Sequence, residues 1–182
     1  MIAGPRAERV DCSIAASGHP AERPPRHLLD WRGRHSASLD SPPAVAGRAH
    51  LVAAIRARDA ARLIHGATTL LGLGEGLTPS GDDCLVGVLA ILLYVDGDWL
   101  PRDGSGGLGV IAESARERTT AVGREFVLHA LAGRFSEPVL AVLRATSPDE
   151  QRRAVEGLVG LGATSGADTL CGMRLACRSL AA

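Results

Sequence analysis

Two adjacent aspartates, Asp82 and Asp83, open an apolar stretch directly behind a run of glycines, in GLGEGLTPSGDDCLVGVLAIL (residues 72–92). A third, Asp168, sits in GLGATSGADTLCGMRLAC (residues 160–177), where SGADTLCG echoes SGDDCLVG. In that alignment Ser80 meets Ser165, Gly81 meets Gly166, Asp83 meets Asp168, Leu85 meets Leu170 and Gly87 meets Gly172, whereas Asp82 has only Ala167 opposite it. Such an echo reads as one supersecondary unit used twice. Carboxylates placed this way can act as oxygen ligands for a hard cation such as Mg²⁺, or as acceptors that orient an amide-bearing substrate or an Arg. Asp82, Asp83 and Asp168 are therefore the candidate catalytic residues and equally the candidate metal ligands, and residue type leaves both roles open.

Around them stand groups suited to holding an anion: Gly74, Gly76, Thr78, Ser80 and Gly81 at the first motif, and Thr164, Ser165 and Gly166 at the second. Thr78 is a capping residue type and Pro79 suits the first helical position, so a helix is expected to begin there. Its unpaired amides beside a glycine loop make an anion site. Two carboxylates in the first turn suit the helix dipole but repel a phosphate unless a cation or Arg intervenes. Thr119 and Thr120, in RERTTAVG, could turn hydroxyls toward the same pocket, although adjacent threonines also occur on helices with no such role.

A single TPSGDD is explained well enough as a capped helix start whose acids complement the dipole. The second copy, with its repeated Ser-Gly and equivalent aspartate, goes beyond what capping needs. Helical spacing puts Ser80, Asp83, Cys84 and Gly87 on one face, and Ser165, Asp168, Thr169 and Gly172 on the matching face of the other helix. Both faces are small and polar, so the two helix starts are expected to converge, with their carboxylates around one pocket.

The elements that must carry this site are helical. Hydrophobic residues make up 46% of the 182, but aromatics only 3%, so the core is built from Ala, Leu and Val. The expected fold is mainly α, a single-domain helical bundle around a buried central helix. Residues 1–43 are expected to form an irregular N-terminal arm, rich in Arg, Pro, His and Ser, and residues 44–182 the helical domain. Trp31 could anchor the arm, and His19, His27 and His35 are too irregularly spaced to argue a metal site. One amphipathic helix is expected over residues 44–65, ended by Gly66. The segment after Asp83, VGVLAILLYV, is apolar on all sides and must be enclosed. A long helix over residues 108–131 should bury Ile111, Ala115, Val122, Phe126 and Leu128 and end at Gly133. Ser136 and Ser147-Pro148 signal two further helix starts.

Composition excludes several function classes. Twenty basic and twenty acidic residues cancel, so the footprint of a nucleic-acid binder is missing. The chain contains no Lys, which excludes a Schiff-base lysine and the lysine of a Walker loop. Cys12, Cys84, Cys171 and Cys177 form no C-x-x-C pair, so reduced thiols are expected rather than a zinc ribbon or a disulfide framework. No apolar run is long enough to cross a bilayer, and a cytoplasmic protein with no membrane partner is expected. No Ser-His-Asp or Cys-His arrangement can be picked out.

The combination of GLGEGLTPSGDDCLVGVL, ERTTAVG and GLVGLGATSGAD resembles the AllH family, associated with a subunit of oxamate carbamoyltransferase, from about Ala44 to the C-terminus. The resemblance implies a part in phosphorolysis of oxalurate to oxamate and carbamoyl phosphate, in allantoin and purine breakdown, together with other carbamoyltransferase subunits. Phosphate or carbamoyl phosphate would sit at the paired glycine-rich helix starts. The chain departs from the family pattern at Glu75, Gly123 and Ala163. Two other readings fit the residues: a non-catalytic assembly or ligand-binding subunit, and a hydrolase of amide or N-glycosidic bonds using Mg²⁺.

Overall fold

The computed structural model describes residues 24–95, 99–100 and 107–182; Cys12 and His19 lie outside the described residues. Among the described residues eight α-helices follow two single turns of 3-10 helix, Arg26–Leu29 and Ala37–Asp40, and no strand occurs. Within the stretch expected to be an irregular arm, residues 24–41 lie on the helical body, with Leu28 and Leu39 wholly buried and Trp31 packed at the core margin.

Helix α1 (Pro42–Ala57) begins with prolines in its first turn, where a missing amide costs nothing. It stops at Arg58, which adopts a left-handed conformation (φ 51°), and the Asp59 side chain then accepts from Arg62 N at 3.0 Å to cap α2 (Ala60–Leu70). The single helix expected over residues 44–65 is therefore two. Gly66 is no terminator: it lies inside α2, where an added Cβ would come within 2.9 Å of the Gly47 carbonyl oxygen on α1. Its work is to let the two helices touch.

Helix α3 (Ser80–Val95) is the central helix, with every residue from Ser80 through Leu93 buried. Each wholly enclosed Leu or Ile on it, such as Leu85, Leu89, Ile91 and Leu92, contributes about 1.5–3 kcal/mol relative to exposure. Helix α4 (Gly107–Arg118) and helix α5 (Ala121–Leu131) replace the one long helix expected over residues 108–131. The break at Thr119 and Thr120 resets the helical phase. Ile111 and Ala115 are buried as expected, but the inner face of α5 is Gly123, Val127 and Ala130, and Val122 and Phe126 face outward. Gly133, at φ 71°, follows the end of α5.

Helix α6 (Glu137–Arg144) and helix α7 (Pro148–Val159) start where the serine-proline signals lie, α7 with a full capping box between Ser147 and Glu150. Helix α8 (Ser165–Leu180) closes the chain and makes the most extensive contact of any helix with α3. No helix among the described residues is long and apolar enough to cross a membrane.

The sequence echo extends backward into a structural one. Leu73 N donates to Leu70 O at 3.0 Å and Gly81 N to Leu73 O at 2.8 Å, while Leu161 N donates to Leu158 O at 3.0 Å and Gly166 N to Leu161 O at 3.1 Å. The unit α2–loop–α3 is thus repeated as α7–loop–α8. The first loop is the longer, its extra length being the exposed turn around Glu75, Gly76 and Leu77.

Candidate functional site

The two helix starts meet. Thr78 Oγ1 and Ser165 Oγ, one from each motif, lie 2.7 Å apart. One turn further along, α3 and α8 cross glycine against backbone: a Cβ on Gly87 would lie 2.8 Å from Met173 N and overlap the Thr169 carbonyl oxygen, and one on Gly172 would overlap the Cys84 carbonyl oxygen. Cys84 and Thr169 are equivalent in the echo, so the crossing is pseudo-symmetric. The faces expected to pair do so.

This crossing encloses the three carboxylates, which are 1%, 7% and 0% exposed at Asp82, Asp83 and Asp168. Their bonding differs. Asp82 is fully occupied: Oδ1 accepts from Gly72 N at 2.8 Å and Oδ2 from the Thr119 hydroxyl. Gly72 reaches that position at φ 74°, with its α-carbon so close to the Arg118 carbonyl that no side chain would fit. Asp82 therefore ties the glycine loop to the α4–α5 junction. Thr120 completes the tie by donating its hydroxyl to Leu77 O while accepting from Gly123 N at 2.9 Å as the cap of α5. The glycine at 123 has a local cause, since a Cβ there would overlap Asp82 Oδ2 and come within 3.1 Å of Pro79. Replacing Thr119 by valine leaves Asp82 Oδ2 buried without its donor, and should lower the unfolding free energy by about 1–3 kcal/mol in urea denaturation.

Asp83 and Asp168 are not fully occupied. Asp168 Oδ1 accepts from Ser36 N at 2.7 Å, but its Oδ2, like Asp83 Oδ2, is buried without a hydrogen-bond partner. Burial pushes Asp83 up to about 7, the Ser165 and Thr78 hydroxyls pull it down, and the neighbouring Asp168 and Asp82 charges raise it again. Burial also raises Asp82, against the opposing bonds from Thr119 and Gly72.

Two buried carboxylate oxygens without donors, on facing helices, call for hydrogen-bond donors or positive charge. A three-aspartate metal cage is not formed: among the described residues no three His, Cys, Asp or Glu side chains come together to hold a metal ion. The Asp82 oxygens are already engaged, so the donor set does not fit Mg²⁺ held by all three. The helix-start amides are also largely spent, on Leu73 O by Gly81, on Pro79 O by Asp82 and Asp83, on Leu161 O by Gly166 and on Thr164 O by Asp168. An anion between the helix starts would meet carboxylates rather than free amides. The two bare oxygens are acceptors, suited to hydrogen-bond donors rather than to an anion.

Of the candidate residues, Asp82, Asp83, Asp168, Thr78, Ser165, Thr119 and Thr120 are gathered by direct bonds or shared electrostatics. Ser80 is buried under the glycine loop, where a Cβ on Gly74 would lie 2.7 Å from its amide. Gly81 and Gly166 serve packing, their α-carbons pressed on the Leu70 and Leu158 carbonyls. Gly74 and Gly76 are exposed on the loop, and Thr164 is exposed with no side-chain capping bond. Arg116 and Arg124 pair with Glu113 and Glu125 on the surface, where such pairs contribute about 0–1 kcal/mol. One site residue escapes any sequence signal: Ser36 contributes only its backbone amide, from a stretch without periodicity.

No solved structure matches the chain. Residues 70–177 match the model of a family described as oxamate carbamoyltransferase subunit AllH, a span that runs from the last residue of α2 into α8 and takes in both glycine loops, the threonine pair and all three aspartates. The match spans the whole of the paired motif that closes this site, and covers more than half of the chain, which thus belongs to the AllH family.

Proposed function

We propose that the chain works as a subunit of an oxamate carbamoyltransferase, with Asp83 and Asp168 receiving the N–H groups of the carbamoyl end of oxalurate. The observation that carries this reading is the pair of buried carboxylate oxygens, Asp83 Oδ2 and Asp168 Oδ2, left without donors where two glycine-rich helix starts converge. Family membership supports the reaction class. Phosphate or carbamoyl phosphate is assigned to the exposed side of the loops, at Gly74 and Gly76, because the interior is acidic.

In that reading a phosphate oxygen attacks the ureido carbonyl carbon, the carbon–nitrogen bond breaks, and oxamate leaves after its nitrogen gains a proton. A carboxyl poised near 7 holds a proton for that nitrogen at neutral pH and takes it back from the medium afterwards. Neutral Asp83 also relieves the repulsion that three charged carboxylates would exert on an approaching phosphate.

The test is an oxalurate phosphorolysis assay on the chain co-purified with its partner subunits. Asp83→Asn should lower kcat by about 10²–10⁴-fold, the usual worth of a positioned acid. Full turnover in that variant would sink the assignment.

A second reading has its own observation. Asp82, Thr119 and Thr120 spend their polar groups on joining the loop to the α4–α5 junction, as an assembly element would, and Leu77, 73% exposed, stands on that loop. Calorimetry separates the two. Phosphate, carbamoyl phosphate and oxalurate should bind the isolated chain if it carries substrate, and bind only after partner subunits are added if it serves assembly.

A further inference from the structure

A second cluster lies against the same helix crossing and takes no part in the reading above. Cys84 on α3 and Cys171 on α8 are both free thiols, the first buried and the second partly exposed. They are held together by the glycine contact: a Cβ on Gly172 would fall 3.1 Å from the Cys84 α-carbon, so the residue before it, Cys171, lies alongside Cys84. The two thiols are close enough for each to perturb the other's ionisation. Arg48 Nη1 stands 3.9 Å from Cys171 Sγ, while its Nη2 is anchored on Leu39 O at 2.7 Å and lies 3.6 Å from Asp40 Oδ1. His35, 3.0 Å from Asp40, adds its field to the same sulfur. Arg48 Nε is buried without a hydrogen-bond partner.

We propose that Cys171 and Cys84 form a peroxide-reactive dithiol, Cys171 as the attacking thiolate and Cys84 as the resolving thiol. The grouping supplies each requirement of such a site: a cation fixed beside the attacking sulfur, partial access to solvent, and a second thiol in contact. The neighbouring Cys84 thiol, and then His35 and Arg48, hold Cys171 below the ordinary thiol range against the effect of burial. The neighbouring Cys171, and then burial, hold Cys84 above it. Cys177, pushed up to about 12 by burial alone, is the internal contrast.

The chemistry balances with a hydroperoxide as oxidant. The Cys171 sulfur attacks the outer peroxide oxygen, the O–O bond breaks, and the departing alkoxide takes a proton from water to leave as an alcohol. Cys171 is then a sulfenic acid. The Cys84 sulfur attacks it, the S–O bond breaks, and the Cys84 proton leaves with the hydroxide as water. Two thiols have been oxidised to one disulfide and the peroxide reduced to an alcohol and water, or to two waters when the oxidant is hydrogen peroxide.

The experiment treats the full-length chain with hydrogen peroxide, blocks remaining thiols with iodoacetamide and maps the peptides by mass spectrometry. A Cys84–Cys171 linked pair, two hydrogens lighter than its separate peptides and restored by dithiothreitol, is expected, with Cys177 alkylated only after unfolding. In Cys84→Ser, and in Cys84→Ala should the serine variant fold poorly, Cys171 should accumulate as a sulfenic acid that dimedone traps. Arg48→Met should slow iodoacetamide labelling of Cys171 in the native protein by about tenfold near neutral pH. A native protein that links neither cysteine under peroxide, or whose Cys171 labels no faster than Cys177, overturns the proposal. Because these readouts need no carbamoyl transfer, they stand apart from the reading of the aspartate site.

Discussion

Gly172→Val is expected to lose most of the stability of the fold, and the equivalent Gly87→Val to do the same. At both positions a side chain would be driven into the backbone of the facing helix, the Cys84 carbonyl in one case and the Thr169 carbonyl in the other. Neither neighbour is the movable end of a side chain. Relief requires α3 and α8 to separate, and their contact is the most extensive in the molecule, so the wholly buried Leu85, Leu89 and Met173 would lose packing along the crossing. Overpacking ordinarily costs about 1–3 kcal/mol, and a backbone clash in the central crossing should reach or exceed the top of that range. Chemical denaturation would measure it. Gly157→Ala is the matched control, since Gly157 lies inside α7 with nothing within 4 Å of an added Cβ. That change should stabilise by about 0.5–1 kcal/mol through helix propensity. If Gly172→Val were as mild as Gly157→Ala, the close crossing would be wrong, and with it the convergence of the two motifs.

The second large effect is the pH dependence carried by Asp83. Its folded value of about 7 lies above the ordinary 3.8 that the unfolded chain would show. Between those two values the folded state holds more protons than the unfolded state, so the unfolding free energy falls as pH rises. This contribution is fully present below about pH 4, is lost progressively up to about 7, and levels off above that. At about 1.4 kcal/mol per pH unit the whole swing is at most about 4 kcal/mol. Asp82, raised in the same direction, adds to the slope. Asp83→Asn, neutral at every pH and nearly isosteric, should remove most of the slope and make the protein more stable than the parent at pH 8. Urea titrations from pH 4 to 8 on both proteins test this, and parallel curves would refute it. Together with the phosphorolysis assay the variant should gain stability and lose turnover. A merely structural carboxylate would not predict that opposition, which is the signature of a residue kept at a cost to the fold.

Helices at both motifs, the buried character of α3 and the starts of α6 and α7 could be read directly, because capping residues, prolines and an all-round apolar segment act within one turn of themselves. The pairing of Asp83 with Asp168 was also legible, since the echo SGDDCLVG and SGADTLCG keeps serine, aspartate and glycine at helical spacing. Where two helices met end to end the reading failed. AVAGRAHLVAAIRARDAARLIH carries one apolar stripe through the break at Arg58, and RERTTAVGREF carries another through Thr119 and Thr120, so Val122 and Phe126 were expected inside and are not. Periodicity shows that a face exists. It does not show where the chain resets its phase.

The glycine loops that first mark this chain chemically owe their placement to the same division. Composition and local pattern determined an all-α chain, a wholly enclosed central helix and two equivalent serine-glycine-aspartate starts, since each follows from residues a few positions apart. The tertiary structure alone decided the rest. Asp82 is consumed by Gly72 and Thr119, Asp83 and Asp168 keep bare buried oxygens, and Ser36 reaches across from the opposite end of the chain to bond Asp168. Three aspartates alike in sequence differ in what donors and charges surround them, and those neighbours come from distant segments brought together only when α3 and α8 close on their glycines.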